Sequence, residues 1–296
     1  MNRVLCFEKT SRRWLLATIR CLAAALRFWR LGDAALIGDE SYYWLWSEHL
    51  ALSYLDNPAG MALLVRLSTL LGGTSETGVR WLNAVLGIAS VGLAYAINAR
   101  LFSRRAAVLA SALIAVGPPF LIISRFVYTD ALQLFLLLFN LYLLLPFLYG
   151  EERQGSIPTW RFWAVGLSMA ALLNTKYSAY LYALAMVALL AWSRSELLRD
   201  RRTWWAIGLS LGGLLPALLW NAQHDWISYR WQAQHALAGG VRGSTPLGGL
   251  VHAVRYLTPP LALLALVGAL GAGGARRRAL LVPGLVLVIP VLLSPM

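Results

Sequence analysis

The chain has 296 residues, of which 59% are hydrophobic and 13% charged, about half the charged fraction usual in water-soluble domains. Its net charge of +13 does not describe a nucleic-acid binder, because the arginines stand in short clusters between apolar runs. Uncharged stretches at 82–99, 106–124, 131–150, 177–193, 203–223, 256–275 and 279–296, with 162–175 set off only by Lys176, exclude a soluble core. They predict an all-α, polytopic membrane protein of about nine spans.

The first apolar segment, 14–26, is short and interrupted by Arg20, with Arg27 and Arg30 following. It reads as helix 1, with arginines that snorkel toward the interface. Cys6 and Cys21 stand before and within it, a placement that gives neither a disulfide framework nor a metal spacing. With the basic N-terminus inside, residues 32–80 form a large external loop. Within it the aromatic stretch from Tyr42 to Leu50 suits a short interfacial helix. Asp56-Asn57-Pro58-Ala59-Gly60 is a turn signal, and 61–71 is a second apolar helix too short to span.

Helix 2 (81–101) returns to the cluster Arg100/Arg104/Arg105, and helices 3 and 4 make a tight outer turn at 124–130. The 150–161 loop lies inside, helices 5 and 6 turn outside around Lys176, and 193–203 lies inside. Helix 7 leads to a second external loop, 221–255; helix 8 returns to Arg276–Arg278, and the last run begins helix 9. Every basic cluster then falls on the cytoplasmic side, as the positive-inside rule requires. Trp160/Trp163 and Trp204/Trp205 fall at the inner boundary, and Trp220/Trp226 at the outer one. Eight of the thirteen acids (Asp33, Asp39, Glu40, Glu48, Asp56, Glu76, Asp130 and Asp225) become external, although carboxylates beside apolar helices are costly unless hydrated, paired or functional.

Asp39 and Glu40 open the interfacial helix, where acids serve equally as cap and dipole partners. Asp130 heads helix 4 and admits the same structural reading, including a pair with Arg125. Lys176, one of two lysines among 26 basic residues, interrupts an apolar hairpin as Asn174-Thr175-Lys176-Tyr177. Its ammonium needs an anion or water, and both lipid phosphate and a substrate phosphate qualify. The segment Trp220-Asn221-Ala222-Gln223-His224-Asp225-Trp226 suits either sugar binding or interfacial anchoring. Four separate loops thus deliver ionisable groups to one membrane face, as an active site at the outer interface requires.

At these residues the chain resembles the GT-C membrane glycosyltransferases. The closest group is that of the protein O-mannosyltransferases and lipid A aminoarabinose transferases, glycosyltransferase family 39 and its bacterial relatives. The resemblance runs over roughly 30–235. It is carried by Gly38-Asp39-Glu40-Ser41-Tyr42-Tyr43-Trp44, Tyr54-Leu55-Asp56-Asn57-Pro58, Arg80 at the start of helix 2, Asp130, Asn174-Thr175-Lys176 and the 220–226 segment. It implies a single GT-C-type helix-bundle domain over 1–296, with a C-terminal part missing where relatives continue into further helices. It also implies sugar transfer from a polyprenyl-phosphate donor to a protein, lipid or glycan acceptor on the outer face of the cell (inner) membrane.

By that resemblance Asp39 is the catalytic base, and Glu40, Asp130, Lys176, Tyr43 and His224 bind substrate, Lys176 through the phosphate. A lipid phosphate leaves as an anion, its second pKa being about 6, so one base with cationic phosphate stabilisation suffices. The sequence establishes no cofactor; a divalent metal ion is one candidate phosphate clamp, with Glu40, Asp130 and His224 as candidate ligands. The competing expectation is a non-catalytic membrane protein, either an inactive relative or a transporter of lipid-linked intermediates. Transporters place charged or broken helices at the midplane; here the ionisable groups stand at helix ends, which favours the enzyme.

Overall fold

Twelve α-helices and one 3₁₀ turn make up the computed structural model, which describes residues 2–149 and 157–241. Among the described residues there is no β-strand, only an isolated bridge between Ser53 and Pro58. Two units emerge from the packing. The first, Met1–Leu50 and Met61–Tyr142, holds α1 (Asn2–Phe28), α2 (Gly38–Glu48), α4 (Glu76–Leu101), α5 (Arg104–Val116), α6 (Pro118–Arg125), nearly all of α3 (Gly60–Gly72) and most of α7 (Thr129–Tyr149). The second comprises Ala51–Gly60 and the described residues from Leu143 onward. It contains α8 (Thr159–Leu173), α9 (Ala179–Ser193), the 3₁₀ turn Ser195–Arg199, α10 (Arg201–Gly212), α11 (Leu215–Gln223) and α12 (Ile227–Val241).

The predicted helices 1 to 7 are all helical, and the two short helices of the first external loop are α2 and α3. Predicted helices 8 and 9 and residues 242–255 of the second external loop lie outside the described residues. Three described helices are long and apolar enough to cross a bilayer: Glu76–Leu101, Thr129–Leu148 and the rod Arg201–Gln223 formed by α10 and α11. α5 and α6, bent by 56°, are apolar enough for this only when taken together, as a broken span or a re-entrant loop.

That bend, in a run that reads as one helix, has a covalent cause. Pro118 and Pro119 carry no amide hydrogen, so the carbonyls of Ile114 and Ala115, four residues earlier, lose their helical donors. The buried guanidinium of Arg27 replaces both, with Nη1 donating to Ala115 O at 3.0 Å and Nη2 to Ile114 O at 3.3 Å. A cation at a helix C-terminus also complements the macrodipole. The exchange is mutual: Arg125, at the end of α6, donates to Leu26 O (2.6 Å) and Trp29 O (2.9 Å) at the end of α1. The arginines around helix 1 are therefore not all snorkelling groups; Arg27 is a buried cap.

In the second unit the turn predicted at 56–60 is present, with Tyr54 N donating to Asn57 O at 3.1 Å. The turn is anchored where Gly60 N donates to Asn174 O at 2.7 Å. A Cβ at position 60 would stand 2.3 Å from that same oxygen, so only glycine permits this approach. Gly60→Ala should therefore cost about 1–3 kcal/mol through overpacking against backbone, seen as a lowered thermal midpoint of the detergent-purified protein; an unchanged midpoint would show that the two segments do not meet this way.

Candidate active site

Helix α4 organises the first unit from one face. Arg80 and Asn83 lie three residues apart, hence on the same side, and both are buried. All five N–H groups of Arg80 are engaged. Nε donates to Glu40 Oε1 (2.8 Å) and Nη2 to Glu40 Oε2 (2.7 Å), while Nη2 also reaches Ala35 O (3.0 Å) and Nη1 reaches Leu31 O (2.9 Å) and Ala34 O (2.8 Å). The guanidinium also lies over the Phe126 ring, 5.4 Å from its centroid.

Glu40 is matched as fully. Besides the two bonds from Arg80, Oε2 accepts from Ile37 N (3.0 Å), the amide just before α2, and Oε1 accepts from Val127 N (2.9 Å) in the link between α6 and α7. Side-chain exposure is 1% for Arg80 and 0% for Glu40. Asn83 Nδ2 completes the set by donating to Ile123 O (2.9 Å) and Phe126 O (2.7 Å). Arg80 and Asn83 thereby fix the entry to α2 and the 123–127 link that leads into α7.

These bonds set the positions of the predicted acids. Asp39 occupies the first turn of α2 and is exposed, and among the described residues no hydrogen bond engages its carboxylate. Asp130 occupies the first turn of α7, half-buried; the Arg125 suggested as its partner donates instead to α1. The four acceptor positions of Glu40 are already filled, so binding a substrate or metal through this carboxylate would require breaking them. Its geometry is that of a support for Asp39. Tyr43 is likewise turned inward, buried and edge-on to Trp46 at 5.3 Å.

The second unit brings three other predicted segments together. Asn174 O receives Gly60 N, and Lys176, half-buried, follows it in the link between α8 and α9. Tyr177 reaches Ser53 with hydroxyls 3.5 Å apart, and its ring meets Tyr229 at 5.4 Å. From α12, Ser228 Oγ donates to Tyr54 O (3.1 Å) and Gln232 Nε2 to Asp56 O (2.9 Å). Burial pushes the phenols of Tyr54 and Tyr229 above their ordinary value, so both remain protonated at neutral pH.

The turn at 221–228 is built on Asn221, which is fully buried. Its backbone oxygen accepts from His224 N (3.1 Å) and Trp226 N (2.8 Å), and Oδ1 accepts from Ser228 N (3.1 Å). Asp225 and Trp226 adopt left-handed φ values of 53° and 57° to close it, a conformation with a cost for non-glycine residues. His224 stacks on Trp220 with centroids 4.0 Å apart, and its Nδ1 lies 2.7 Å from Trp220 O. Since a carbonyl oxygen can only accept, Nδ1 is the donor in that contact. Among the described residues no three of His, Cys, Asp and Glu gather as a metal site.

Asp39, Glu40, Tyr43 and Asp130 thus belong to the first unit, and Lys176 and His224 to the second. In the sequence Arg80 stood out only as a matching position, Asn83 not at all, and Asn221 only as a member of the 220–226 segment. The one available signal was a polar residue inside an otherwise apolar helix, where an unpartnered amide is costly. Removing either member of the buried pair should be severe: Glu40→Gln or Arg80→Met should each lose about 3–5 kcal/mol, whereas an apolar double replacement should lose less than either. Thermal denaturation of the four proteins measures this, and additive losses would contradict the coupling.

The profile of the dolichyl-phosphate-mannose-protein mannosyltransferase family matches residues 56–220. No curated protein matches the chain. Among solved structures, the crystal structure of ArnT from Cupriavidus metallidurans in the apo state superposes with a TM-score of 0.58 at 15% identity. The match covers 96% of this chain and 60% of that one, so the chain spans well under two thirds of its structural neighbour. At that identity the likeness concerns the fold, and it agrees with the all-α, GT-C-type bundle expected from the sequence.

Proposed function

We propose that this chain, which belongs to the dolichyl-phosphate-mannose-protein mannosyltransferase family, transfers a sugar from a polyprenyl-phosphate-sugar donor to a hydroxyl or phosphate of a lipid, glycan or protein acceptor at the outer face of the cell membrane. The observation that carries the reading is the contrast between two neighbouring acids. Glu40 is buried in a saturated ion pair with Arg80, while Asp39 is exposed at a helix start with its carboxylate open to a ligand.

Transfer to an acceptor hydroxyl requires a group that takes the hydroxyl proton as its oxygen attacks the anomeric carbon. A carboxylate can act in this way if an oxygen is accessible and its position is fixed. Asp39 meets the first as an exposed side chain, and Glu40 fixes the helix start that carries it. The donor phosphate then leaves with the electrons of the anomeric C–O bond, and a cation near it stabilises the developing charge. Lys176 is assigned that part by its place in the Asn174-Thr175-Lys176 segment, with Asp130 and His224 assigned to substrate and Tyr43 to the packed base of α2. Asp130 and His224 remain the candidate ligands for a divalent ion, and no step is routed through one.

Asp39→Asn keeps size and exposure while removing the base. In membranes supplied with a polyprenyl-phosphate-linked sugar, transfer should fall by about 10²–10⁴-fold with unchanged protein abundance; wild-type rates would refute the base. Lys176→Ala should weaken donor binding far more than it alters abundance or thermal midpoint, as measured by titration with the lipid-linked donor. Equal donor affinity in wild type and variant would remove Lys176 from the phosphate site.

A further inference from the structure

We infer that one edge of the second unit, formed by the start of α8, the 3₁₀ turn and the start of α10, is a binding surface for anionic phospholipid headgroups. α8 and α10 are held side by side closely enough that a Cβ on Gly213, just past α10, would stand 2.3 Å from Ala170 O of α8. Their first turns therefore form a single edge. Five arginines stand on it among the described residues (Arg161, Arg194, Arg199, Arg201 and Arg202) against two acids, Glu196 and Asp200, a net of three positive charges.

Among the described residues, Arg202 and Arg194 pair with the two acids of this edge. Arg202 makes a forked pair with Asp200, with Nη2 to Oδ2 at 2.7 Å, donates to Ile157 O at 2.8 Å and stacks over Phe162. Arg194 pairs with Glu196 and donates to Phe147 O at 2.7 Å. These hydrogen bonds hold Asp200 and Glu196 below the usual carboxylate range, so both acids stay charged at neutral pH and neither is left over for Arg199 or Arg201. The latter two are exposed, and no described carboxylate pairs with them; Arg161 lies over the Trp160 ring at 5.4 Å.

Exposed side chains below this charged rim change in a fixed order along both helices. On α10 and α11 the order is Arg201, then Trp204 and Trp205 (58% and 59% exposed), then Leu211, Leu215 and Leu219. On α8 it is Trp160 (58%) and Trp163 (45%), then Leu167. Trp204 Nε1 donates to Leu198 O at 2.8 Å, so its polar edge points back toward the rim. At about 1.5 Å per residue, the sequence of cation, indole and aliphatic chain spans roughly 15 Å from Arg201 to Leu211. That is the order of phosphate, glycerol-ester region and acyl chain in one leaflet. A protein partner would not require such grading on two helices at once, whereas a lipid monolayer does. The cationic rim selects anionic headgroups over zwitterionic ones.

The test uses the whole chain reconstituted in phosphatidylcholine vesicles containing equal mole fractions of either dibrominated phosphatidylglycerol or dibrominated phosphatidylcholine, read by quenching of tryptophan fluorescence. The same measurement on a Trp204→Phe/Trp205→Phe variant isolates the signal of this edge. The brominated anionic lipid should quench more strongly. Its advantage should drop by up to about fivefold for each arginine removed in Arg199→Gln and Arg201→Gln, with far-UV circular dichroism unchanged. Equal quenching by the two lipids in the wild type would overturn the inference. So would an undiminished preference in the double arginine variant, and quenching by neither lipid would identify the edge as covered by something other than lipid.

Discussion

The buried pair between Glu40 and Arg80 fixes the local frame of the first unit. Two opposite charges removed from water recover their solvation cost only when every remaining donor and acceptor is satisfied as well. Here the five donors of the guanidinium and the four acceptor positions of the carboxylate all find partners among the backbone and each other. Those partners come from the 31–35 loop, the amide before α2 and the α6–α7 link, so the pair fixes segments far apart in sequence. A lysine at position 80 could not replace the arginine, because three donors on one nitrogen cannot form a fork to a carboxylate and reach three carbonyls besides.

In the second unit the 221–228 turn and the approach of Gly60 to Asn174 are held by neutral groups. Asn221 closes its turn with a side-chain acceptor and a backbone oxygen that receives two amides, and Asn174 offers its carbonyl to Gly60. Neutral amides cost less to bury than ions. Loss of Glu40 or Arg80 alone leaves a buried charge, while loss of the Asn221 side chain leaves the Ser228 amide unpaired.

How much of this could be read beforehand follows the range of the interactions. Helix runs depend on local hydrophobicity, and the seven predicted ones within the described residues are all helical, as are the two short helices of the first loop. The turn at Asp56–Gly60 was equally legible from Asn57, Pro58 and Gly60. The break in the third helix was written in Pro118 and Pro119, yet an uncharged run masked it. What repairs the break, Arg27, lies 87 and 88 positions from the carbonyls it serves, and no pattern in sequence reports such a distance. For the same reason Glu40 looked like a ligand: its partner Arg80 is 40 positions away, and acids at a helix start look alike until their surroundings are known. Tyr43 was grouped with an interfacial stretch because that stretch is aromatic throughout, although alternate faces of α2 meet core and surface.

Adjacent residues in a helix differ in direction by about 100°, and this rotation lets neighbouring acids take opposite fates. From the third position of α2, the longer glutamate side chain curls back to the amide of Ile37 while still presenting both oxygens to Arg80, the reach that a capping glutamate uses. An aspartate there would be one methylene short of closing the same set. At the second position the shorter aspartate keeps its charge close to the helix start, and its exposed carboxylate ranges over a smaller space than a glutamate's would. A base that must meet an acceptor hydroxyl gains from that confinement, because the effective concentration of a catalytic group rises as its freedom falls. The order Asp39-Glu40 thus links the two acids: the buried one fixes the helix start, and the helix start carries the exposed one.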